Sequence, residues 1–268
     1  MHATSSAAVD PRPVTRALTL LLLGSVGSVA AQYANPEFAS EEDIDPRVTE
    51  VYVDVPAVAP GATPAAAPAD AEVLFDGSSL GGWVNLLGEA AHWRVADGAM
   101  TVVSDKPYPP GGDIRTVDSF ENFQLHLEFR TPPAEGDGQG RGNSGLFLQD
   151  RYELQILDNY DNPTYGNGQL GSIYKQTPPL ANPAREPGEW QTYDVIYTAP
   201  VFSASGTLIH PAYVTALLNG VLVQNHTAIQ GPTPYRGRGV YEPHGPAPIR
   251  LQDHGNPMSF RNIWVRRL

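Results

Sequence analysis

Residues 152–158, YELQILD, combine the pattern of a β-strand with side chains that can do chemistry. Side chains alternate along a strand, so Glu153 and Gln155 would share one face. A loop rich in Gly, Asn and Asp follows and leads to Lys175, one of only two lysines in the chain. A carboxyl group can transfer a proton, and an ammonium can stabilise negative charge. The segment therefore predicts a polar site; the alternatives are an arginine-paired carboxylate at Glu153 and a solvated ammonium at Lys175.

Two further titratable residues are candidates for proton transfer. His254 lies in LQDHG, and an imidazole can carry a proton near neutral pH. Its alternative is a histidine that is hydrogen-bonded within a turn. Asp158, at the end of the same strand as Glu153, could supply a second carboxylate, but the following DNYDNP is a run of turn-forming residues, so a turn role is favoured there.

Other polar side chains are predicted to line the same surface. Strand 121–130, ENFQLHLEFR, offers Glu128 and Arg130 on its polar face, although an ion pair is favoured over catalysis for them. The segment PIRLQDH offers Arg250, Gln252 and His254 with one parity. Asn143, within GRGNSG, could donate to ligand hydroxyl groups or shape the turn. Together they predict a groove on the outer face of a curved sheet.

The fold that must position these residues is predicted to be all-β. Period-two alternation recurs in 121–130 and 190–198, and the chain ends in a strand at 260–268. Residues 92–103 and 212–226 read as strand pairs about Asp97-Gly98 and Asn219-Gly220 turns. No stretch of a dozen residues has a convincing helical period. Short strands with dense turns favour a two-sheet antiparallel jelly-roll sandwich.

The N-terminal region predicts export. Arg12 and Arg16 precede ALTLLLLGSVGSVA, which indicates a secretory signal peptide over residues 1–31; a membrane helix is the alternative. Residues 32–71 are first acidic and then rich in Pro and Ala, as in a disordered or extended linker, and 72–268 form the domain. We expect a periplasmic or extracellular protein with no membrane span after cleavage. A net charge of −12 argues against nucleic-acid binding.

A resemblance to a known family is carried by several motifs that occur in order from about residue 72 to the C-terminus. They are LHLEFR, NSGLFLQDRYELQILD, GSIYKQTPP, GEWQTYDVIYT, LNGVLVQNH and APIRLQDHGNPMSFRNIWVR. The chain resembles the bacterial 3-keto-disaccharide hydrolase domain, also described as 3-keto-glucoside 1,2-lyase and 3-keto-2-hydroxy-glucal hydratase. This resemblance implies a concanavalin A-like jelly roll that acts on sugars oxidised at C3.

The implied reaction assigns roles to the candidates. A C3 ketone acidifies the C2 proton, so a base can remove it while an acid protonates the departing C1 oxygen, and the resulting 2-hydroxy-glucal is then hydrated. A separate sugar 3-oxidoreductase would have to make the substrate. The predicted catalytic residues are Glu153, His254 and Lys175, and the predicted substrate-binding residues are Gln155, Asn143, Arg130, Glu128, Asp158 and Gln252.

Some alternatives stay open in the sequence. The strand pattern E-x-Q-x-x-D has Gln155 where related glucanases have a middle acid, which weakens any assignment to ordinary double-displacement hydrolysis. There is no D-x-D-x-D-G, H-x-H or H-E-x-x-H motif, yet related jelly rolls can hold calcium, so a divalent metal stays undecided. A non-catalytic carbohydrate-binding module with the same fold is the alternative function.

Overall fold

The computed structural model describes residue 47, residues 50–103 and residues 112–268. The chain divides into two compact units, residues 1–56 and 57–268. The predicted signal peptide, residues 1–31, lies outside the described residues, as does the acidic start of the predicted linker. The strands described below all belong to the second unit.

In its described residues, the second unit contains fifteen short strands and two 3-10 turns, at Gly138–Gly140 and Gly166–Gly168. The strands are β1 (Glu72–Phe75), β2 (Trp83–Asn85), β3 (Arg94–Ala96), β4 (Ala99–Thr101), β5 (Ile114–Thr116), β6 (Phe123–Arg130), β7 (Ser144–Leu148), β8 (Tyr152–Ile156), β9 (Trp190–Thr198), β10 (Val201–Phe202), β11 (Leu208–His210), β12 (Tyr213–Leu218), β13 (Val221–Ala228), β14 (Arg250–Leu251) and β15 (Ser259–Arg267).

The strands form two main antiparallel sheets and one small hairpin. The eight-stranded sheet has the order β13-β12-β9-β6-β15-β4-β3, with β1 also paired to β15. The five-stranded sheet has the order β2-β5-β14-β7-β8, and β10 pairs with β11. Strands adjacent in a sheet are often distant in sequence, as expected of a jelly roll. The predicted two-sheet antiparallel jelly-roll sandwich is confirmed.

The core between the sheets follows from the alternation along each strand. In β6, Phe123, Leu125, Leu127 and Phe129 are fully buried. From the five-stranded sheet, Tyr152, Leu154 and Ile156 of β8 join the same cluster. Each buried Leu or Phe side chain stabilises the fold by about 1.5–3 kcal/mol, so this parity fixes which side chains face outward.

Two predicted hairpins have the turns that their sequences require. Asp97 and Gly98 connect β3 to β4 with φ values of 52° and 73°. Asn219 and Gly220 connect β12 to β13 with φ values of 51° and 79°. Two consecutive positive φ angles are the signature of a type I′ turn, which matches the twist of the flanking strands.

The edge strand β8 is covered by a long loop, and this cover shapes the outer face of the five-stranded sheet. Gln155 N donates to Ser172 O at 3.0 Å, and Tyr174 N donates to Glu153 O at 3.0 Å. On the same strand, Glu153 N donates to Thr233 Oγ1 at 2.9 Å. These loops form hydrogen bonds with the backbone at the free edge of β8, so the strand is buried throughout its length. One face of β8 packs into the core, and the other can carry functional side chains.

Residues 57–71, which the sequence assigns to a linker, belong to the second compact unit. Ala65 O accepts hydrogen bonds from Asn262 Nδ2 at 2.9 Å and from Trp264 Nε1 at 3.0 Å. Asp70 pairs with Arg266 at 2.5 Å. These contacts hold the segment against β15.

Candidate active site

A row of outward-facing side chains crosses the five-stranded sheet. Arg250 of β14 lies opposite Phe147 of β7, and Phe147 lies opposite Glu153 of β8. The Arg250 guanidinium lies 3.5 Å from the centroid of the Phe147 ring. It also pairs with Asp113 and Asp150, each at 2.5 Å. These two carboxylates neutralise the charge of Arg250. Arg250 lies at one end of the row, and the carboxyl group of Glu153 lies at the other.

Above this row lies a cavity of about 250 Å³, which we call the Glu153 cavity. Five of the residues that the sequence predicts to be functional line it, namely Glu153, His254, Gln155, Asn143 and Gln252. Glu153 and Gln155 belong to β8, Gln252 and His254 to the segment after β14, and Asn143 directly precedes β7. The structure therefore brings together a carboxyl group, an imidazole and three side-chain amides.

Four further residues complete the lining, and the sequence did not assign them to the site. Phe147 forms part of the cavity from β7, Tyr174 from the loop over β8, and Thr233 and Tyr235 from the loop 229–240. An aromatic face in a polar cavity is suited to stacking on a sugar ring. The alternation in GLFLQ already predicts that Phe147 points away from Leu146 and Leu148. Nothing local in TPYRGRG indicates that Tyr235 reaches β8.

Glu153 is a buried carboxyl group, with 5% of its surface exposed. Burial raises the pKa of Glu153 to about 8, with Arg250 opposing the shift and Asp113 adding to it. Desolvation dominates because the charged form loses water that no nearby unneutralised cation replaces. Glu153 is thus protonated at neutral pH and ionises in mildly alkaline solution, as a proton donor working near neutrality requires.

The side chain of Gln155 contacts Glu153 directly. One end of its amide lies 2.9 Å from Glu153 Oε1 and 2.9 Å from the carbonyl oxygen of Ser144. With the amide nitrogen at that end, Gln155 donates to both oxygens. The residue that replaces an acid in the E-x-Q-x-x-D pattern therefore orients the carboxyl group of Glu153.

Gly145 of β7 leaves the space that Glu153 occupies. A Cβ at this position would lie 2.5 Å from Glu153 Oε1 and 2.9 Å from Phe147 Cε2. Real Cβ atoms do not approach other atoms so closely, so a larger residue would displace the carboxyl group. A glycine here is required by packing, not by backbone conformation.

Lys175 does not line the Glu153 cavity, which corrects the prediction that its ammonium faces the same space as Glu153 and His254. Its Nζ lies 3.9 Å from the centroid of the Tyr165 ring and 5.5 Å from those of Tyr174 and Tyr235. The rings of Tyr174 and Tyr235 also line the Glu153 cavity, so they lie between that cavity and the Lys175 ammonium. The side chain instead lines an adjoining cavity.

Glu128 and Arg130 are also misplaced by the sequence prediction. They belong to β6 in the eight-stranded sheet and lie on its outer face, across the core from Glu153. Glu128 pairs with Arg261 at 2.6 Å and accepts from Asn262 at 2.9 Å. Arg130 lies over Trp190 at 4.7 Å. Glu128 and Arg130 do share the outward face of their strand, as predicted. The alternation along a strand, however, does not say in which sheet the strand lies.

Asp158 has a structural role, and it does not line the Glu153 cavity. Its side chain is fully buried and pairs with Arg141 at 2.7 Å. Asp158 Oδ1 also accepts from Tyr160 N at 3.2 Å. The turn role that the sequence favoured is therefore observed, with an added ion pair.

Among the described residues, no group of three or more His, Asp or Glu side chains is arranged to hold a metal ion. Over the same ranges, no helix has the length and apolar character needed to span a membrane.

Comparison with known proteins assigns the chain to a family. The profile of the 3-keto-alpha-glucoside-1,2-lyase-like domain matches residues 70–266. The chain belongs to this family. The match to the 3-keto-alpha-glucoside-1,2-lyase-like domain covers every strand of both sheets apart from Arg267 at the end of β15, so the Glu153 cavity lies wholly within the family domain.

Similar proteins are found among curated sequences and solved structures. A 3-keto-disaccharide hydrolase from Bacteroides thetaiotaomicron is 25% identical over 246 residues, which is 75% of this chain and 80% of that protein. The crystal structure of a proposed glycosyl hydrolase from Parabacteroides distasonis is 49% identical, with a TM-score of 0.77, over 84% of this chain and 97% of that one. Another from the same species, at 21% identity, has a TM-score of 0.53, covers 74% and 94%, and shows the fold alone.

Proposed function

We propose that this protein is an exported carbohydrate-active enzyme that cleaves 3-keto-glycosides by elimination across C1 and C2 and then hydrates the 2-hydroxy-glucal. The observation that carries the proposal is that Glu153, a buried carboxyl group, and His254, an imidazole, line one cavity in a member of this family. The cavity has space for one sugar ring, with Phe147 and Tyr174 beside it and amides from Asn143 and Gln252.

The elimination needs one group that accepts a proton and another that donates one. Neutral His254 removes the proton from C2, whose acidity the C3 ketone has raised, and the electron pair moves toward the ketone. The bond from C1 to the leaving oxygen then breaks as Glu153 gives its proton to that oxygen. A hydrogen-bond donor is needed for the C3 oxygen as it gains charge. We assign this donor to Tyr174, whose side chain lines the cavity; burial raises the pKa of its hydroxyl further above neutrality.

Hydration returns both groups to their starting states. Glu153, now a carboxylate, takes a proton from water as the water oxygen bonds to C1 of the 2-hydroxy-glucal. Protonated His254 delivers its proton to C2. One water is consumed, and 3-keto-glucose is the product. Tyr174 is held in place for both steps by Tyr165, whose hydroxyl lies 3.0 Å from its own.

The substrate must be made elsewhere. The described strands and loops are those of a jelly roll, and no strand-to-helix Gly-rich loop of the kind that binds a dinucleotide occurs among them. We therefore propose that a separate sugar 3-oxidoreductase supplies the keto sugar.

The proposal of export rests on the predicted signal peptide. N-terminal sequencing of the protein, isolated from its native source in a membrane-free fraction, tests it.

The deciding experiment is a substrate panel in H₂O and D₂O. The purified protein is expected to release 4-nitrophenol from 4-nitrophenyl 3-keto-glucosides and not from the parent glucosides. In D₂O, the 3-keto-glucose product should carry deuterium at C2, because the proton that the exposed His254 takes from C2 exchanges with solvent before a proton is returned; free 3-keto-glucose incubated with the protein corrects for later exchange. Release without deuterium, and without any slowing when the substrate carries deuterium at C2, would replace elimination with direct displacement. Sugar binding with no turnover of any keto substrate would mean that the protein is a non-catalytic carbohydrate-binding module.

Gly145→Ala tests whether the position of the carboxyl group matters. The added Cβ would collide with Glu153 Oε1, so we expect kcat/KM on a 3-keto-glucoside to fall at least about tenfold. Overpacking should also cost about 1–3 kcal/mol of stability, measured by denaturant unfolding. Gly245→Ala is the control, since a Cβ there has no atom within 4 Å. Equal kinetics for both variants would show that Glu153 does not need its observed position.

A further inference from the structure

A second cavity adjoins the Glu153 cavity and is larger. It has a volume of about 530 Å³, within the range of about 300–1,000 Å³ typical of ligand sites. Tyr174 and Thr233 line both cavities, so the two spaces meet across these side chains. We call the second one the Lys175 cavity. The Glu153 cavity, at about 250 Å³, holds one sugar ring, and the Lys175 cavity is an adjoining space with room for the rest of a glycoside.

The Lys175 cavity is basic in an acidic protein. Lys175 and Arg238 line it, and no Asp or Glu among the described residues does. The whole chain has 29 acidic residues against 17 basic ones. Several arginines elsewhere in the domain are paired with carboxylates, as Arg141 is with Asp158 and Arg261 with Glu128. Within the described ranges, neither Lys175 nor Arg238 has a carboxylate partner, so their charge is available to a ligand.

The segment that carries Lys175 is bonded to the start of the loop that carries Arg238. Three tyrosine rings surround the Lys175 ammonium, the nearest at 3.9 Å from its Nζ. The next residue, Gln176, ties this segment to the loop that carries Arg238. Gln176 Nε2 donates to Gly231 O at 2.8 Å, and its Oε1 accepts from Gln230 N at 2.7 Å. Neutral donors on Asn167 and Gln230 complete the lining.

We propose that the Lys175 cavity binds the leaving group of the substrate and selects leaving groups that carry a carboxylate. A carboxylate placed there would accept charge-assisted hydrogen bonds from Lys175 and Arg238, which are stronger than hydrogen bonds between neutral groups. The inference rests on the proposed function, since it takes the Glu153 cavity as the place of the oxidised ring. It identifies the substrates as 3-keto-glycosides of hydroxy acids, such as a uronic acid or a hydroxybenzoate.

The test compares two leaving groups of nearly the same shape. These are the 3-keto-glucosides of 4-hydroxybenzoate and of 4-hydroxybenzamide, in both anomers. The ratio of their kcat/KM values is measured in the wild type, Lys175→Met and Arg238→Met, so that intrinsic reactivity cancels between proteins. Losing one hydrogen bond to a charged group should lower the benzoate-to-benzamide ratio about tenfold in each variant. The wild-type ratio should also fall with added salt.

Arg236→Met is the matched control. Arg236 lies in the same loop over the Tyr235 ring, at 5.7 Å, but does not line the Lys175 cavity. It should leave the ratio unchanged within about twofold, because its guanidinium contributes only at long range and is screened by salt. An equal fall of the benzoate-to-benzamide ratio in all three variants would mean that the effect comes from overall charge. That result would overturn the proposed carboxylate site.

The outcomes separate this inference from the proposed function. If the wild type turns over both substrates and the ratio in Lys175→Met and in Arg238→Met equals the wild-type ratio, the inference fails and the proposed function stands. If no keto-glycoside is turned over, the proposed function fails. The inference is then decided by NMR titration with free 4-hydroxybenzoate and 4-hydroxybenzamide. Tighter benzoate binding that Lys175→Met weakens about tenfold supports it, and equal binding of the two ligands overturns it.

Discussion

Glu153→Gln is expected to lower kcat on a 3-keto-glucoside by about 10²–10⁴-fold, the usual contribution of a positioned proton donor. Glutamine keeps the shape of the side chain but cannot give a proton to the leaving oxygen. The loss should depend on the leaving group, because a phenol that leaves easily needs less protonation than an alkyl alcohol does. Steady-state kinetics with 4-nitrophenyl and methyl 3-keto-glucosides measures this difference.

The same substitution should stabilise the fold in alkaline solution. The pKa of Glu153 rises from an ordinary 4.5 to about 8 on folding because the carboxyl group is buried. Between these pH values the folded state holds a proton that the unfolded state has released, so stability falls as the pH rises from about 4.5 to about 8. The glutamine side chain of the variant does not titrate and has no such dependence. The free energy of unfolding of the variant should therefore exceed that of the wild type by a few kcal/mol at pH 8.5 and approach it at pH 4.5.

Glu128→Gln is the control for both measurements. Glu128 is another carboxylate, but it lies on the outer face of the eight-stranded sheet with Arg261 and Asn262. We expect it to retain activity and to show no stabilisation at alkaline pH. A Glu153→Gln protein that is as active as the wild type would remove Glu153 from the mechanism. One that is equally destabilised at both pH values would show that the carboxyl group is not buried in its neutral form.

His254→Ala is expected to lower kcat by about 10²-fold or more and to keep the alkaline side of the pH profile. In the wild type the rate should fall above pH about 8, as Glu153 loses its proton. Removing the imidazole should leave this alkaline limb in place, because Glu153 is unchanged. Stopped assays on a 3-keto-glucoside across the neutral and alkaline range record the limb in both proteins.

Added imidazole distinguishes a lost base from a damaged fold. His254 is exposed, so the cavity left by alanine is open to a small solute, and imidazole should restore part of the rate of His254→Ala in proportion to its concentration. His210→Ala, an exposed histidine on β11, should need no rescue. Wild-type activity in His254→Ala would assign the base to another residue.

The local sequence was sufficient to predict the strands and their turns. Alternation in 121–130 and 190–198 predicted β6 and β9, and Asp97-Gly98 and Asn219-Gly220 predicted the type I′ turns. It also predicted that Glu153 and Gln155 share a face, since period-two alternation is a property of any strand. These features depend on neighbours within a few residues, which is why a single sequence is enough to find them.

The arrangement of the site depended on contacts between distant segments. Pairing between strands that are distant in sequence decides which sheet contains a strand. Glu128 and Arg130 were therefore predicted correctly to share the outward face of their strand, but that strand lies in the sheet opposite Glu153. The rings of Tyr174 and Tyr235 separate Lys175 from the Glu153 cavity, and no pattern near residue 175 encodes that.

The sequence by itself determined the all-β class, the polar face of β8 and five of the side chains that meet in the Glu153 cavity. Only the tertiary structure decided that Glu153 is buried enough to hold a proton at neutral pH, and that Lys175 faces a separate basic cavity. The physical reason is that desolvation and cavity shape arise when loops close over a sheet. Those closures join residues that are far apart along the chain, and no local pattern records them.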